Sequence, residues 1–367
     1  MLNDDQILRN LERHSKHPGI SAFQYFRLLQ GELVGRYADI PKLYLDTKYW
    51  VLLRDAALGR ARRTEHNQIL VKLRALVARG VVICPLSDAA YVESMQQTDR
   101  ETRLATAAVM DELSCGLAIA TEQTRARLEL LNFMADPASD VTRLDSQLWV
   151  KSGFVLGETV PHAGKLDART NLTAQKSFID LMWNQTLADF AADERDRQVI
   201  SLSDSAERIT AKMAAHADEI RSFEQAVAAE ISGCVKLFDH ELAAAALCQK
   251  GYANATSEEV SRFQEAMQKG MFNAMRLKPD FMAKRTPTLF IHAMCHAAIR
   301  WDKHRKLDSH WIFDIHHACA ALPYHAAMFT EHPLRALLLS GKMQMAQRFS
   351  TQILSAEADI LRYLESF

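Results

Sequence analysis

The chain has 367 residues, 48% of them hydrophobic and 24% charged, the make-up of a folded protein of two or three structural units and not of a disordered or fibrous one. Forty-four basic and 45 acidic residues nearly cancel, so no global charge marks a nucleic-acid coat protein, and a polyanion would have to be gripped by a local patch. No apolar run approaches the ~20 residues of a membrane span, the opening Met-Leu-Asn-Asp-Asp-Gln is unlike a secretory leader, and six scattered cysteines without a C-x-x-C pair indicate neither a zinc knuckle nor a disulfide framework; a cytoplasmic protein with no membrane partner is expected.

Residues 1–40 carry apolar positions at helical spacing (Ile7, Leu8, Leu11, then Phe23, Phe26, Leu28, Leu29), broken by His17-Pro18-Gly19, which predicts two helices. The first part of an α/β core, 41–102, begins where Pro41 leads into the β-prone run Leu43-Tyr44-Leu45. A helical pattern follows at once through Trp50, Leu53 and Leu58 to Gly59. The next helix, 65–78, has Ile69, Leu70, Leu73 and Leu76 on one face and Gly80 at the position of a left-handed cap. Val81-Val82-Ile83-Cys84-Pro85 reads as a second buried strand, and Ser87 is placed to cap a helix carrying Glu93. Strand, helix, strand, helix is the order of a parallel sheet, whose right-handed crossover sets the two strands side by side.

From 103 to 305 the pattern changes to long helical segments (103–119, 121–134, 173–190, 204–246, 257–277 and 287–304), with 153–164 as an irregular loop or small hairpin. This reads as a large helical insertion. Its irregular heptads argue against an extended coiled coil, leaving a homo-oligomer contact, a lid over a cleft or the docking surface of a regulatory protein as its candidate uses. The core resumes over 306–367. Asp308 caps a helix over 309–322, 326–330 is a third short strand, Pro333 opens another helix, and 349–354 is a fourth strand leading into a final amphipathic helix.

Ligands of open parallel sheets bind outside the carboxyl ends of the strands. Asp46 ends the first strand, Glu331 follows the third, Glu93 lies on the helix leaving the second, and Asp314 lies on the helix entering the third. Singly, these acids read as a strand-end cap, a turn residue, an exposed carboxylate and a first-turn dipole partner. Converging on one edge, they would repel one another and require a cation between them, and oxygen-only ligands suit magnesium or manganese.

Tyr44-Leu45-Asp46-Thr47, Ser87 with Glu93, Asp314 and His317 ahead of Leu322-Pro323-Tyr324, and Thr330-Glu331 together resemble the PIN-like nuclease superfamily. The branch in question is the one in which YLDT opens the domain and D-x-x-H-x-x-x-x-L-P-Y precedes a strand ending in Thr plus an acid. The resemblance covers about residues 40 to 100 and 306 to 366. It implies a PIN-like sheet flanked by helices, one or two Mg2+ or Mn2+ ions on Asp46, Glu93, Asp314 and Glu331, and assistance from Thr47. It further implies hydrolysis of single-stranded RNA in preference to DNA, with a toxin or an effector of antiviral defence as the expected role. Thr330, His317 and Asp308 are the remaining candidates around ions or substrate. The family often has Asp after the Pro-Tyr pair, where this chain has His325-Ala326, and its last acid is commonly Asp where this chain has Glu331. A DNA nuclease with the same site and a non-catalytic binding or scaffold protein are the alternatives.

His292 and His296 stand four apart on an apolar helix without the Glu of a zinc-protease motif, which favours packing over metal binding. Two basic clusters flank the acidic segments: Arg54, Arg60, Arg62 and Arg63, and Arg300, Lys303, Arg305 and Lys306. These are the candidate phosphate contacts, with Tyr49, Trp50, Trp301 and Trp311 as candidate stacking surfaces if they are not core.

Overall fold

The computed structural model of the chain describes residues 4–134, 146–162, 164–192, 203–215, 217–238, 243, 246–247, 251, 256–302 and 308–367. It is mostly helical around a small parallel sheet. The N-terminal helices α1 (Asp4–Ser15) and α2 (Ala22–Tyr37) are followed by β1 (Leu43–Leu45), α3 (Thr47–Ala57), α4 (Thr64–Ala78), α5 (Asp88–Met95) and α6 (Arg100–Ser114). Two of these boundaries follow from side chains or backbone named in advance. Ser87 accepts from the Ala90 N–H to cap α5, and Gly80 adopts the left-handed φ of 68° just beyond α4, where a Cβ would be strained.

The strand expected over 81–85 contracts to isolated bridges. The Ile83 carbonyl accepts from the Leu43 N–H, and the Ile83 N–H donates to Pro41 O; beyond that point the chain changes partner, Cys84 N–H donating to Leu113 O and Leu86 N–H to Leu117 O. Pro85 has no N–H, so a continuous ladder cannot run through it.

The supposed insertion is not purely helical. α6 ends at Ser114 because Cys115 and Gly116 both take left-handed φ values of 50° and 69°. Leu117–Ile119 then forms β2, which after α7 (Glu122–Met134) pairs antiparallel with β3 (Trp149–Lys151). The segment expected as one helix over 173–190 is divided into α8 (Ala168–Asn184) and α9 (Leu187–Ala191), because Thr186 and Asp189 build a capping box that starts a new helix. α10 (Ser203–Ala215) and α11 (Phe223–Leu237) likewise divide the next expected helix, whose remainder lies largely outside the described residues. α12 (Ser257–Leu277), α13 (Pro279–Arg285), α14 (Pro287–Trp301) and α15 (Ser309–Ala321) follow. β4 (Ala327–Phe329), α16 (His332–Leu338), α17 (Met345–Arg348), β5 (Gln352–Leu354) and α18 (Glu357–Glu365) complete the order.

β4 lies between β1 and β5, all parallel, with Leu45 opposite Phe329 and Phe329 opposite Leu354. Side chains alternate between two faces of a strand, and here both faces are covered. Leu43, Leu45, Ala327 and Phe329 join one core with Leu53 and Leu73, and with Ala107, Met110 and Leu113 of α6. Tyr44, Met328 and Ile353 join the other with Leu289, Phe290 and Ile291 of α14 and Ile315 of α15. That double burial is why the strands read as unbroken apolar runs. It also means that the helical middle shares its packing with the sheet on both sides. No described helix is long and apolar enough to cross a membrane.

Candidate active site

Parallel pairing of β1 with β4 sets Asp46 beside Thr330 and Glu331 at the carboxyl edge. The Asp46 N–H donates to Phe329 O at 3.1 Å, continuing the ladder one residue past β1. Its carboxylate then does two jobs. Oδ1 accepts from the Tyr49 N–H at 3.2 Å, capping α3, and Oδ2 accepts from the Glu331 N–H at 3.0 Å, stitching the two strand ends together. The Thr330 hydroxyl acts on this carboxylate to lower its pKa, and Oγ1 is buried without any other partner. Burial is the larger influence and, with the field of Glu331, holds the Asp46 pKa above the ordinary carboxylate range.

α5 and α15 bring in the other groups. His317 Nε2 lies 2.7 Å from Glu93 Oε2, Thr47 donates its hydroxyl to the same oxygen at 2.6 Å, and His317 Nδ1 lies 2.5 Å from the Tyr44 hydroxyl. Burial opposes charge on His317, but the bond to Glu93 and the fields of Glu93, Asp46 and Asp314 outweigh it, so its pKa is raised. Burial likewise opposes charge on Glu93, and the bonds from His317 and Thr47 win, lowering its pKa. A doubly protonated His317 donates to Glu93 and to the Tyr44 oxygen, leaving the Tyr44 proton for Ser87 Oγ at 2.7 Å. Tyr44 and Ser87 thus set the orientation of the imidazole. Both were visible in the motif, but with no sign of this duty.

Asp314 lies one helical turn before His317. Burial first, then the fields of Asp46, Glu331 and Glu93, raise its pKa to about 7 against the attraction of His317. Asp314 therefore lies in the field of the other three acids, and Asp46 in that of Glu331. Glu331 is exposed and caps α16 only by position, with no side-chain cap bond. Asp308 accepts from the Trp311 N–H at 3.0 Å as the N-cap of α15, and it is not among the charges acting on the acidic group.

His325 and Ala326, where the family often has Asp, lie at the opposite edge. The Ala326 N–H donates to Lys42 O at the amino end of β1. Four residues of strand, roughly 13 Å, separate Ala326 from Thr330. An acid there would not reach the carboxyl edge. Tyr324 instead donates to Glu129 of α7 at 2.5 Å, and buried His325, its pKa pushed down to about 3 by burial, sits edge-on to Tyr44 and Trp149.

The basic clusters are largely committed elsewhere. Arg54 pairs with Asp55, Arg60 with Glu101, Arg63 with Glu357 and Arg300 with Glu230, while Lys303, Arg305 and Lys306 lie outside the described residues. Tyr49 and Trp50 are core residues, Trp311 packs partly buried against the core, and Trp301 lies under the Lys342 ammonium. A cavity of about 260 Å³ between α11 and α12, lined by Ser232, Val235 and Phe272, holds none of the acids.

Asp314 sits in the field of three other carboxylates, oxygen donors of the kind a hard divalent cation takes, although among the described residues the donors close enough together to share one ion are those of Glu122, His292 and His316. Comparison of the chain with protein-family models, with curated proteins and with solved structures finds no match.

Proposed function

We propose that the chain is a divalent-metal-dependent nuclease that hydrolyses phosphodiester bonds in single-stranded RNA. One observation supports this above the others: Asp314, pushed to a pKa of about 7, lies in the combined field of Asp46, Glu93 and Glu331, the four carboxyl groups coming from separate parts of the chain. Such repulsion persists in a fold when a cation offsets it. Asp46, Glu93, Asp314 and Glu331 would hold Mg2+ or Mn2+, which supplies charge neutralisation at the phosphate and lowers the pKa of water.

The protein's own residues have separable parts. Asp46 is fixed by two backbone N–H donors, so its oxygens keep their direction when the ion changes. Both bonds to Glu93 fall on Oε2, so Oε1 is the oxygen that neither Thr47 nor His317 holds. His317, whose charged form is favoured by the acids around it, would place positive charge where a phosphate arrives, and it is positioned in turn by Tyr44. The preference for RNA rests on the resemblance of the four segments to PIN-like nucleases.

Incubating the purified chain with Mn2+ and matched single-stranded RNA and DNA oligonucleotides tests the reading. RNA should be cut in preference to DNA. Asp46→Asn should lower cutting by about 100-fold or more, the scale of losing a group that orients a metal; Asn keeps the α3 cap but its NH2 cannot also accept from the Glu331 N–H, so far-UV circular dichroism establishes folding of the variant. Equal cutting by wild type and Asp46→Asn would remove the mechanism, and calorimetry showing no Mn2+ uptake would turn the reading to a non-catalytic binding protein.

A further inference from the structure

A second cluster lies on the other side of α15 and uses different chemistry. Glu122 of α7, His292 of α14 and His316 of α15 come from three helices, and their donor atoms all lie within 4.8 Å of one another. Glu122 Oε1 is 2.9 Å from His292 Nε2, and Oε2 is 2.6 Å from His316 Nδ1. From this geometry we infer that Glu122, His292 and His316 form a binding site for a borderline transition-metal ion, Zn2+ being the expected occupant.

Three features favour a metal site over a buried hydrogen-bond network. The donor set comes first: two imidazoles and one carboxylate suit zinc and disfavour magnesium, which takes oxygen ligands. The second is the pattern of burial. Glu122 and His292 are 7% and 3% exposed, whereas the His316 side chain is 33% exposed, so the cluster is walled on the protein side and open on one solvent side. That is the layout of a three-ligand site with a position left for water.

The third is unused imidazole capacity. His292 Nδ1 has no hydrogen-bond partner, and the ring of His296 stacks on His292 at 5.9 Å with its own Nδ1 buried and unpaired. His296 Nδ1 is thus a spare imidazole donor beside the cluster, whereas an ion held by His292 Nε2 leaves His292 Nδ1 as it is. Arg125, 3.9 Å from Glu122, does not cancel the site's charge alone, since it is also 3.7 Å from Asp88 and donates to Ala120 O. Binding exchanges the imidazole N–H contacts to Glu122 for metal bonds, the protons passing to solvent.

The ion would tie α7 and α14, both from the helical middle, to α15, which carries Asp314 and His317. Its ligands are distinct from the strand-tip acids, and its test does not depend on nuclease activity.

The full chain, stripped with a chelator, is titrated with Co2+ and followed by visible absorption, then with Zn2+ in competition with a chromophoric chelator. Wild type should take up a single tight equivalent and develop cobalt bands of imidazole–carboxylate ligation. His292→Gln and His316→Gln should each weaken uptake by roughly 10- to 100-fold or more, and Asp46→Asn should leave it unchanged. Far-UV circular dichroism establishes folding, and should buried His292→Gln fail to fold, partly exposed His316→Gln decides alone. No uptake by wild type, uptake equal in the histidine variants, or uptake lost in Asp46→Asn instead would each overturn the assignment.

Discussion

Replacing Asp314 with Asn probes the electrostatics of the acidic cleft without any assay of catalysis. In the unfolded chain this carboxyl titrates near 3.9; in the folded chain its pKa is raised from 3.8 to about 7 by burial and by Asp46, Glu331 and Glu93. Between those values the folded state keeps a proton that the unfolded state has lost. Metal-free stability therefore falls as pH rises from about 4 to about 7 and stays low above it. One pKa unit corresponds to about 1.4 kcal/mol, so the shift sets a ceiling of roughly 4 kcal/mol, and solvent access to a partly exposed side chain reduces this to roughly 2–4 kcal/mol. Asn carries no charge to penalise. With an unfolding entropy of about 2.1 cal/mol/K per residue, Asp314→Asn should melt roughly 2–5 °C above wild type at pH 8 in EDTA, and the two should melt together at pH 4. Saturating Mn2+ should reverse the order at pH 8, because the ion stabilises only a folded chain that binds it. A variant no more stable than wild type at pH 8, or equally favoured at pH 4, would refute the reasoning.

Two further substitutions test the scaffold around the cleft. Tyr44→Phe removes the hydroxyl between Ser87 and His317 and leaves the buried His317 Nδ1 without its partner; urea unfolding should show a loss of about 1–3 kcal/mol, and a change below about 0.5 kcal/mol would mean that the hydroxyl does not hold the imidazole. Gly153→Ala places a Cβ 1.8 Å from Met182 O, a backbone atom that cannot swing away. It should lower stability by roughly 1–3 kcal/mol or more, and an unchanged melting temperature would show that the turn after β3 does not approach Met182 of α8 this closely.

The strand tips, the helix that carries each acid and the caps at Ser87 and Asp308 follow from local chemistry, which is why they are legible in the residues. Alternation between two covered faces makes Leu43-Tyr44-Leu45 and Ala327-Met328-Phe329 uniformly apolar, and a run of that kind has few readings other than a buried strand. What escaped depends on partners distant in sequence or on conformations the residue type does not announce. Nothing in Cys115 signals a left-handed backbone, so the end of α6 and the strand after it read as one helix. Glu122 meets His292 and His316 across separations of 170 and 194 residues, and only the spacing of His292 with His296 hinted at it. The basic clusters read as phosphate contacts because sequence shows charge but not its partner. Asp55, Glu101, Glu357 and Glu230 supply those partners.

α15 presents Asp314 and His317 toward the strand tips and His316 toward Glu122. Neighbouring residues of a helix point about 100° apart, so any roll of this rod that improves the fit of His316 to Glu122 pulls His317 off Glu93, and the reverse. The two opposed tethers leave the helix no free rotation about its own axis. The stiffness of one backbone thus joins the packing of α14 and α7 to the position of the strand-tip carboxylates.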